Sequence, residues 1–146
     1  MWIVFEGLDK SGKGTLEREV LKATNFKHII IDRGPAGYFV FDYIFERCTD
    51  EGTTNYAKNL ALMETSKDFV VVYCKVPFDI AMKRIYEHNE ICPYDYERAQ
   101  QTYDNCIEDF YKKNGIKVIE VDTTKSIEEC VKIIIEKLQE VWNEYN

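Results

Sequence analysis

The sequence predicts an α/β protein: a single domain over residues 1–146, built as a doubly wound parallel sheet of about four strands flanked by helices. Three observations lead there. Short apolar, β-branched runs recur at Trp2-Ile3-Val4-Phe5-Glu6, Lys27-His28-Ile29-Ile30-Ile31-Asp32, Phe69-Val70-Val71-Val72-Tyr73-Cys74 and residues 116–121. Segments with apolar residues at helical spacing separate them, so strand and helix alternate. The first run also delivers a glycine-bounded loop carrying a lysine, directly ahead of a helix. Alternation of this kind implies right-handed parallel crossovers, with ligands at the carboxyl ends of the strands.

Each element has its own signal. Residues 12–24 read as the first helix, with Leu16 and Val20 inward at a spacing of four, and Asn25 ends it. Residues 27–32 suit a buried parallel strand that Arg33-Gly34-Pro35 stops. Aromatic residues at helical spacing over 36–48 and the Tyr56, Leu60, Met63 series over 54–66 predict two helices before the third strand. Pro77 opens a helix holding Ile80, Met82, Arg84 and Ile85, and the pattern breaks over residues 88–94. Residues 95–113 form the next helix, with Asn114-Gly115 as its stop. Ile127, Cys130, Val131, Ile134, Leu138 and Val141 mark the last helix and its inward stripe, while Glu128, Lys132, Glu136 and Glu140 stay wet.

The loop Gly7-Leu8-Asp9-Lys10-Ser11-Gly12-Lys13-Gly14-Thr15 carries the chemistry. A strand that runs into such a loop just before a helix forms a nest of backbone N–H groups suited to a nucleotide polyphosphate, ATP or GTP. Gly7 and Gly12 let the backbone approach the phosphates without a Cβ in the way, and Lys13 supplies charge toward the β- and γ-phosphates. The common pattern places Ser or Thr straight after the lysine. Here Gly14 stands there and Thr15 offers its hydroxyl one residue later, to Mg2+ directly or through water.

Composition narrows the class. With 146 residues and 45% hydrophobic content, the chain can bury one well-formed core. A net charge of −7 without a long basic run argues against a long nucleic-acid polymer as partner. Cys48, Cys74, Cys92, Cys106 and Cys130 show neither a CxxC pair nor zinc spacing, and read as reduced structural thiols. No apolar run approaches the roughly 18 residues of a membrane span, and the first residues read as a core strand instead of a leader; a cytoplasmic protein is expected.

Phe5-Glu6-Gly7-Leu8-Asp9 ahead of Gly12-Lys13, Asp32-Arg33 at a strand end, Val76-Pro77 before a helix with Arg84, and Val121-Asp122 before Ser126-Ile127-Glu128-Glu129 resemble thymidylate kinases, within the P-loop nucleoside monophosphate kinases. The resemblance touches both ends and most of the middle. It implies a P-loop NTPase-type sheet and ATP-dependent phosphoryl transfer to a (deoxy)nucleoside monophosphate, with ATP and Mg2+ as cofactors. By resemblance, Lys13 and the loop residues Gly7, Ser11, Gly12, Gly14 and Thr15 hold the donor, with Arg84 and Asp122 also on the donor side. Asp9 contacts the acceptor sugar or the metal shell, Arg33 grips the acceptor phosphate, Asp32 lies close to Mg2+, and Phe41 stacks on the acceptor base. Lys10 matches a class with a basic residue at this loop position and no catalytic arginine in the lid; residues 85–97 contain no Arg or Lys. Residues 88–94 would form a short lid that excludes water. A homodimer is also a family trait.

The departures are informative. Thymidylate kinases place a further strand and helices between the first helix and the Asp-Arg strand, whereas here Asn25, Phe26 and a few neighbours fill that gap. The family commonly has a serine four residues past the arginine, an aromatic four further on and often a glutamine next; this chain has Gly37, Phe41 and Asp42. A carboxylate only accepts hydrogen bonds, so Asp42 facing the pocket would favour a base with an exocyclic amine over thymine. Structural readings stand beside these: Phe41 as core packing, Asp32-Arg33 as an ion pair at a strand end, Asp122-Thr123 as a helix N-cap region. A 5′-hydroxyl kinase and a non-catalytic ATP/GTP-binding module are the alternative functions.

Overall fold

The computed structural model describes residues 1–66 and 68–145. Strands β1 (Trp2–Glu6), β2 (Ile29–Asp32), β3 (Phe69–Lys75) and β4 (Lys117–Asp122) form one parallel sheet in the order β2-β1-β3-β4. This is the expected doubly wound α/β architecture. Phe5 stands in register with Asp32 on one side and Val72 on the other, so the P-loop and the Asp32-Arg33 corner leave the sheet side by side.

Alternate strand residues feed two helical layers. On one face Ile3, Phe5, Val70 and Val72 meet Leu16 and Val20 of α1 (Lys13–Ala23) and Ile134 and Leu138 of α6 (Ile127–Tyr145). On the other, Val4, Val71 and Tyr73 meet Val40 and Phe41 of α2 (Pro35–Ile44), Met63 of α3 (Asp50–Thr65), Ala81 of α4 (Phe78–Glu87), and Ala99 and Tyr103 of α5 (Tyr96–Cys106). Each fully buried aliphatic side chain contributes roughly 1.5–3 kcal/mol, so these two cores dominate stability. The five cysteines are unpaired thiols, and among the described residues no helix is long and apolar enough to cross a membrane.

Several sequence expectations are corrected. β2 is the sheet edge, and Ile29 is 51% exposed, because among the described residues no strand stands beyond it. The helix expected over 36–48 stops at Ile44: Glu46 adopts φ 56° and Arg47 N–H bonds back to the Asp42 carbonyl, closing the helix end. Asn25, as predicted, and Asn89 close α1 and α4 through the same left-handed step. The helix expected over 95–113 is α5 followed by a π turn at Ile107–Tyr111 and a 3-10 turn at Lys112–Asn114. Ile127, placed on the buried stripe of α6, is 52% exposed; Cys130, Ile134, Leu138 and Val141 carry that stripe.

Candidate active site

The P-loop adopts the cradle its glycines require. Gly7 has φ 151°, and a Cβ there would lie 2.7 Å from both the Cys74 carbonyl and Ser11 Oγ. Gly12 has φ 83° and caps α1 without any side-chain acceptor. The first amides of α1 are thus left for an anion, where the helix dipole also favours negative charge. Ser11 Oγ is buried and has no hydrogen-bond partner, so it too can turn to a ligand. Gly14 sits in open space, with nothing within 4 Å of a built Cβ.

Lys13 Nζ lies 2.5 Å from Asp32 Oδ1, joining the loop to the end of β2. One helical turn past Lys13, Glu17 faces the same carboxylate. Burial, then its hydrogen bond and repulsion with Asp32, push the Glu17 carboxyl up to about 7, against the opposing charges of Lys13 and Arg18. Burial also works to raise Asp32, but hydrogen bonds from Lys13 and Glu17 and the charges of Lys13 and Arg33 outweigh it and hold that group below its usual value. The proton of the pair therefore sits on Glu17. Mg2+ prefers hard oxygen ligands, and a carboxylate pair is a donor set of that kind; among the described residues no group of three or more metal-ligating side chains gathers there.

Between the P-loop and the loop that follows β4, a cavity of about 470 Å³ is lined by Lys10, Gly12, Thr15, Arg84, Thr123 and Ile127, among others. Arg84 closes it by donating to the Lys10 carbonyl (2.8 Å) and the Thr123 carbonyl (2.7 Å). Thr15, expected beside the metal with Asp32, lines this cavity. Asp122 turns away from it: its carboxylate accepts from Thr124 N–H and Oγ1 at 2.9 and 2.7 Å, so Thr123 and not Asp122 borders this cavity.

Beside Arg33 a chain of contacts runs from the P-loop to the 88–94 segment. The Arg33 guanidinium lies 4.1 Å over the Phe41 ring, Phe41 meets Tyr94 edge-on, and Tyr94 OH donates to Asp9 Oδ2 at 3.1 Å. Arg33 has the left-handed φ of 68°, and its Nε is buried with no hydrogen-bond partner. A guanidinium held in this way has donors to spare for an anion. Lys10, also left-handed at φ 64°, pairs with Glu90 of the 88–94 segment at 2.9 Å. Asp42 stands outside this group. Tyr56 donates to its carboxylate and Arg47 pairs with it, because α2 turns that side toward α3; the expected base preference loses its structural footing.

In the sequence Glu6 stands out only as part of the Phe5–Asp9 motif. Its carboxylate is completely buried and accepts from Gly34 N–H (2.8 Å), Gly37 N–H (3.0 Å), Tyr103 OH (2.9 Å) and Tyr111 OH (2.7 Å). Burial pushes its pKa up and these donors push it down, with a net rise. The two tyrosine hydroxyls, buried and facing Glu6, are raised well above their usual value and remain donors. Glu17 carried a readable signal, an i, i+4 spacing from Lys13. Tyr94 and Glu90 carried none beyond their place in the lid.

No family model matches the chain, and no curated protein matches it by sequence. Solved structures do match over nearly the whole length. YorR protein from Bacillus subtilis, in complex with phosphorylated GDP, is 16% identical with a TM-score of 0.72 over 95% of this chain and 96% of that one. Deoxyadenosine kinase from M. mycoides with bound dCTP is 17% identical with a TM-score of 0.63 over 96% and 100%. Thymidylate kinase from Candida albicans is 15% identical with a TM-score of 0.61 over 97% and 92%. At these identities the likeness is one of fold: the chain has the architecture of P-loop kinases.

Proposed function

We propose that this protein is an ATP-dependent kinase that transfers a phosphoryl group to a (deoxy)nucleoside monophosphate, giving the diphosphate. The observation that carries the reading is the adjacency of two half-sites: a phosphate cradle with Lys13, and an arginine with an unpartnered buried Nε at the next strand end. A module that only bound ATP would not need the second. That solved structures of similar fold include a deoxyadenosine kinase, a thymidylate kinase and a protein holding phosphorylated GDP supports the same direction.

The chemistry asked of the protein is positioning and charge stabilisation. The α1 amides, Ser11 and Lys13 hold the donor phosphates; Arg84 and Thr123 shape the space for the rest of the donor. Arg33 binds the acceptor phosphate, and Asp9 with Tyr94 borders its sugar. Phe41, 5% exposed and covered by Arg33 and Tyr94, acts as the floor beneath them. Asp32 and Glu17 would hold Mg2+, which screens charge on the β- and γ-phosphates when bound. Lys10 reaches the transferred group once released from Glu90. Residues 88–94, tied to the loop by Lys10–Glu90 and Tyr94–Asp9, keep water out.

A second reading, transfer to a nucleoside 5′-hydroxyl, draws support from Asp32, an ionised carboxylate beside Lys13 that could accept the hydroxyl proton. One assay separates them. Purified protein with ATP and Mg2+ is offered each common ribonucleoside and deoxyribonucleoside, free and as the monophosphate, with ADP and product followed together. Diphosphate formation that Lys13→Ala abolishes supports the proposal; monophosphate formation from free nucleosides moves the second reading forward. ATP binding without acceptor-dependent turnover leaves a binding module.

A further inference from the structure

Helix α2 begins straight after Arg33, yet it has no cap of its own. Its N-cap is Gly34, and Pro35 carries no N–H. The amides that remain are satisfied from elsewhere in the chain. Gly34 and Gly37 donate to Glu6, while Ala36 donates to Tyr111 OH at 3.1 Å, itself bonded to Glu6. From the other direction, Gly7 N–H at the entrance to the P-loop donates to Tyr103 OH at 2.9 Å, and Tyr103 donates on to the same Glu6 oxygen that Gly34 uses. One carboxylate is thus the meeting point of the donor loop and the acceptor arm.

Space around it is closed. A Cβ on Gly37 would lie 2.4 Å from Arg33 Cγ and 2.6 Å from both Glu6 Oε1 and Tyr103 OH; one on Gly34 would lie 2.9 Å from Tyr111 OH. The tyrosines reach this point from one helix because of the π turn. Eight residues of uninterrupted α-helix would leave Tyr103 and Tyr111 roughly 80° apart around the axis. The wider i to i+5 turn over Ile107–Tyr111 removes most of that offset.

We propose that Glu6 and Tyr103 are positioning residues that hold the phosphate cradle and the Arg33 arm in a fixed mutual register; the inference rests on the phosphoryl-transfer reading. Neither side chain touches a substrate. Glu6 acts through the Gly34 and Gly37 amides on the arm that bears Arg33, and Tyr103 acts through Gly7 on the cradle. In-line transfer is sensitive to the separation of the two half-sites, and a displacement near 1 Å costs about 100-fold in rate.

The test compares Tyr103→Phe with Tyr111→Phe. Tyr103→Phe keeps the ring and its stacking on Tyr73, at 5.3 Å between centroids, and deletes only the hydroxyl shared by loop and arm. The expected result is a fall in kcat of about 10- to 100-fold, with the ATP Kd from calorimetry within about threefold of wild type. Tyr111 bonds Glu6 and Ala36 of the arm, whereas the Gly7 amide of the P-loop is held by Tyr103, so Tyr111→Phe should act mainly on the acceptor KM. A Tyr103→Phe enzyme with unchanged kcat overturns the proposal, as does a loss of rate that follows only the loss of folded protein. Should wild type show no acceptor-dependent turnover, the phosphoryl-transfer reading fails by itself. Amide hydrogen exchange then decides the positioning claim: Tyr103→Phe must speed exchange at both Gly7 and Gly34–Gly37, and acceleration at Gly7 alone overturns it.

Discussion

Lys10 Nζ of the phosphate loop lies 2.9 Å from Glu90 Oε1 of the 88–94 segment, so the cation that the proposed mechanism brings to the transferred phosphoryl group is held by an internal carboxylate. Phosphate and Glu90 compete for it. Half-exposed pairs of this kind are worth up to about 1 kcal/mol. Glu90→Gln should therefore tighten ATP binding by no more than about fivefold, with the gain shrinking at high salt. Calorimetry at two ionic strengths checks this, and weaker binding would show that Glu90 supports the nucleotide.

Gly14 occupies the position where P-loops commonly carry a hydroxyl, and a side chain there would meet nothing within 4 Å. Gly14→Ser should be accepted by the helix, with a gain near 0.5 kcal/mol from propensity. It should also increase the Mg2+ dependence of ATP binding, measured as the ratio of Kd values with metal and with EDTA. An unchanged ratio would place the metal wholly on the carboxylate side.

At Gly37 two effects oppose each other. Replacing a helical glycine by alanine gains roughly 1 kcal/mol, but the new Cβ would press on buried Glu6 and Tyr103. Overpacking costs about 1–3 kcal/mol, so Gly37→Ala should lower the urea midpoint. A stabilised variant would mean that the network around Glu6 yields easily.

His28 sets a pH dependence at the opposite end of the sheet. Burial, then the charges of the N-terminus and Lys27, lower its pKa from 6.5, and its Nδ1 is buried with no partner. Above pH 6.5 both folded and unfolded forms are neutral and the full stability is present. As pH falls through 6.5 the unfolded chain takes up the proton first, so stability drops until the folded imidazole also titrates. Glu17, raised to about 7, gives the opposite slope over this range, so the expected result is a difference: His28→Gln should be more stable relative to wild type at about pH 5.5 than at about pH 7. A slope equal to wild type would assign the dependence to other groups.

The phosphate loop, the four strands and their helices were legible because they rest on local pattern: β-branched runs, i, i+4 spacing and glycine where backbone must approach a ligand. Lys13, Asp32 and Arg33 came together because strand ends in a parallel sheet share one edge. The edge position of β2 was not legible, since Ile29-Ile30-Ile31 reads the same whether or not a further strand lies beyond it. Asp42 was misplaced because its neighbour Phe41 faces the site while the next residue on a helix points about 100° away. The π turn and the meeting of Tyr103 and Tyr111 at Glu6 leave no mark on helical periodicity; both depend on contacts nearly a hundred residues apart.

The borrowed cap of α2 also bears on the order in which the protein is assembled. Gly34 and Gly37 find Glu6 already made, but Ala36 waits for the Tyr111 hydroxyl 75 residues on, and Glu6 itself is held by hydroxyls 97 and 105 residues beyond it. Long loops must close before such contacts form, which places them late in folding. During synthesis the phosphate cradle can take shape while the arm beside it is still unanchored; Tyr103 then joins the two through Gly7 and Glu6, and Tyr111 completes the arm. Pulse-labelled hydrogen exchange should find Ala36 protected later than the α1 amides, because its acceptor is made 75 residues after it.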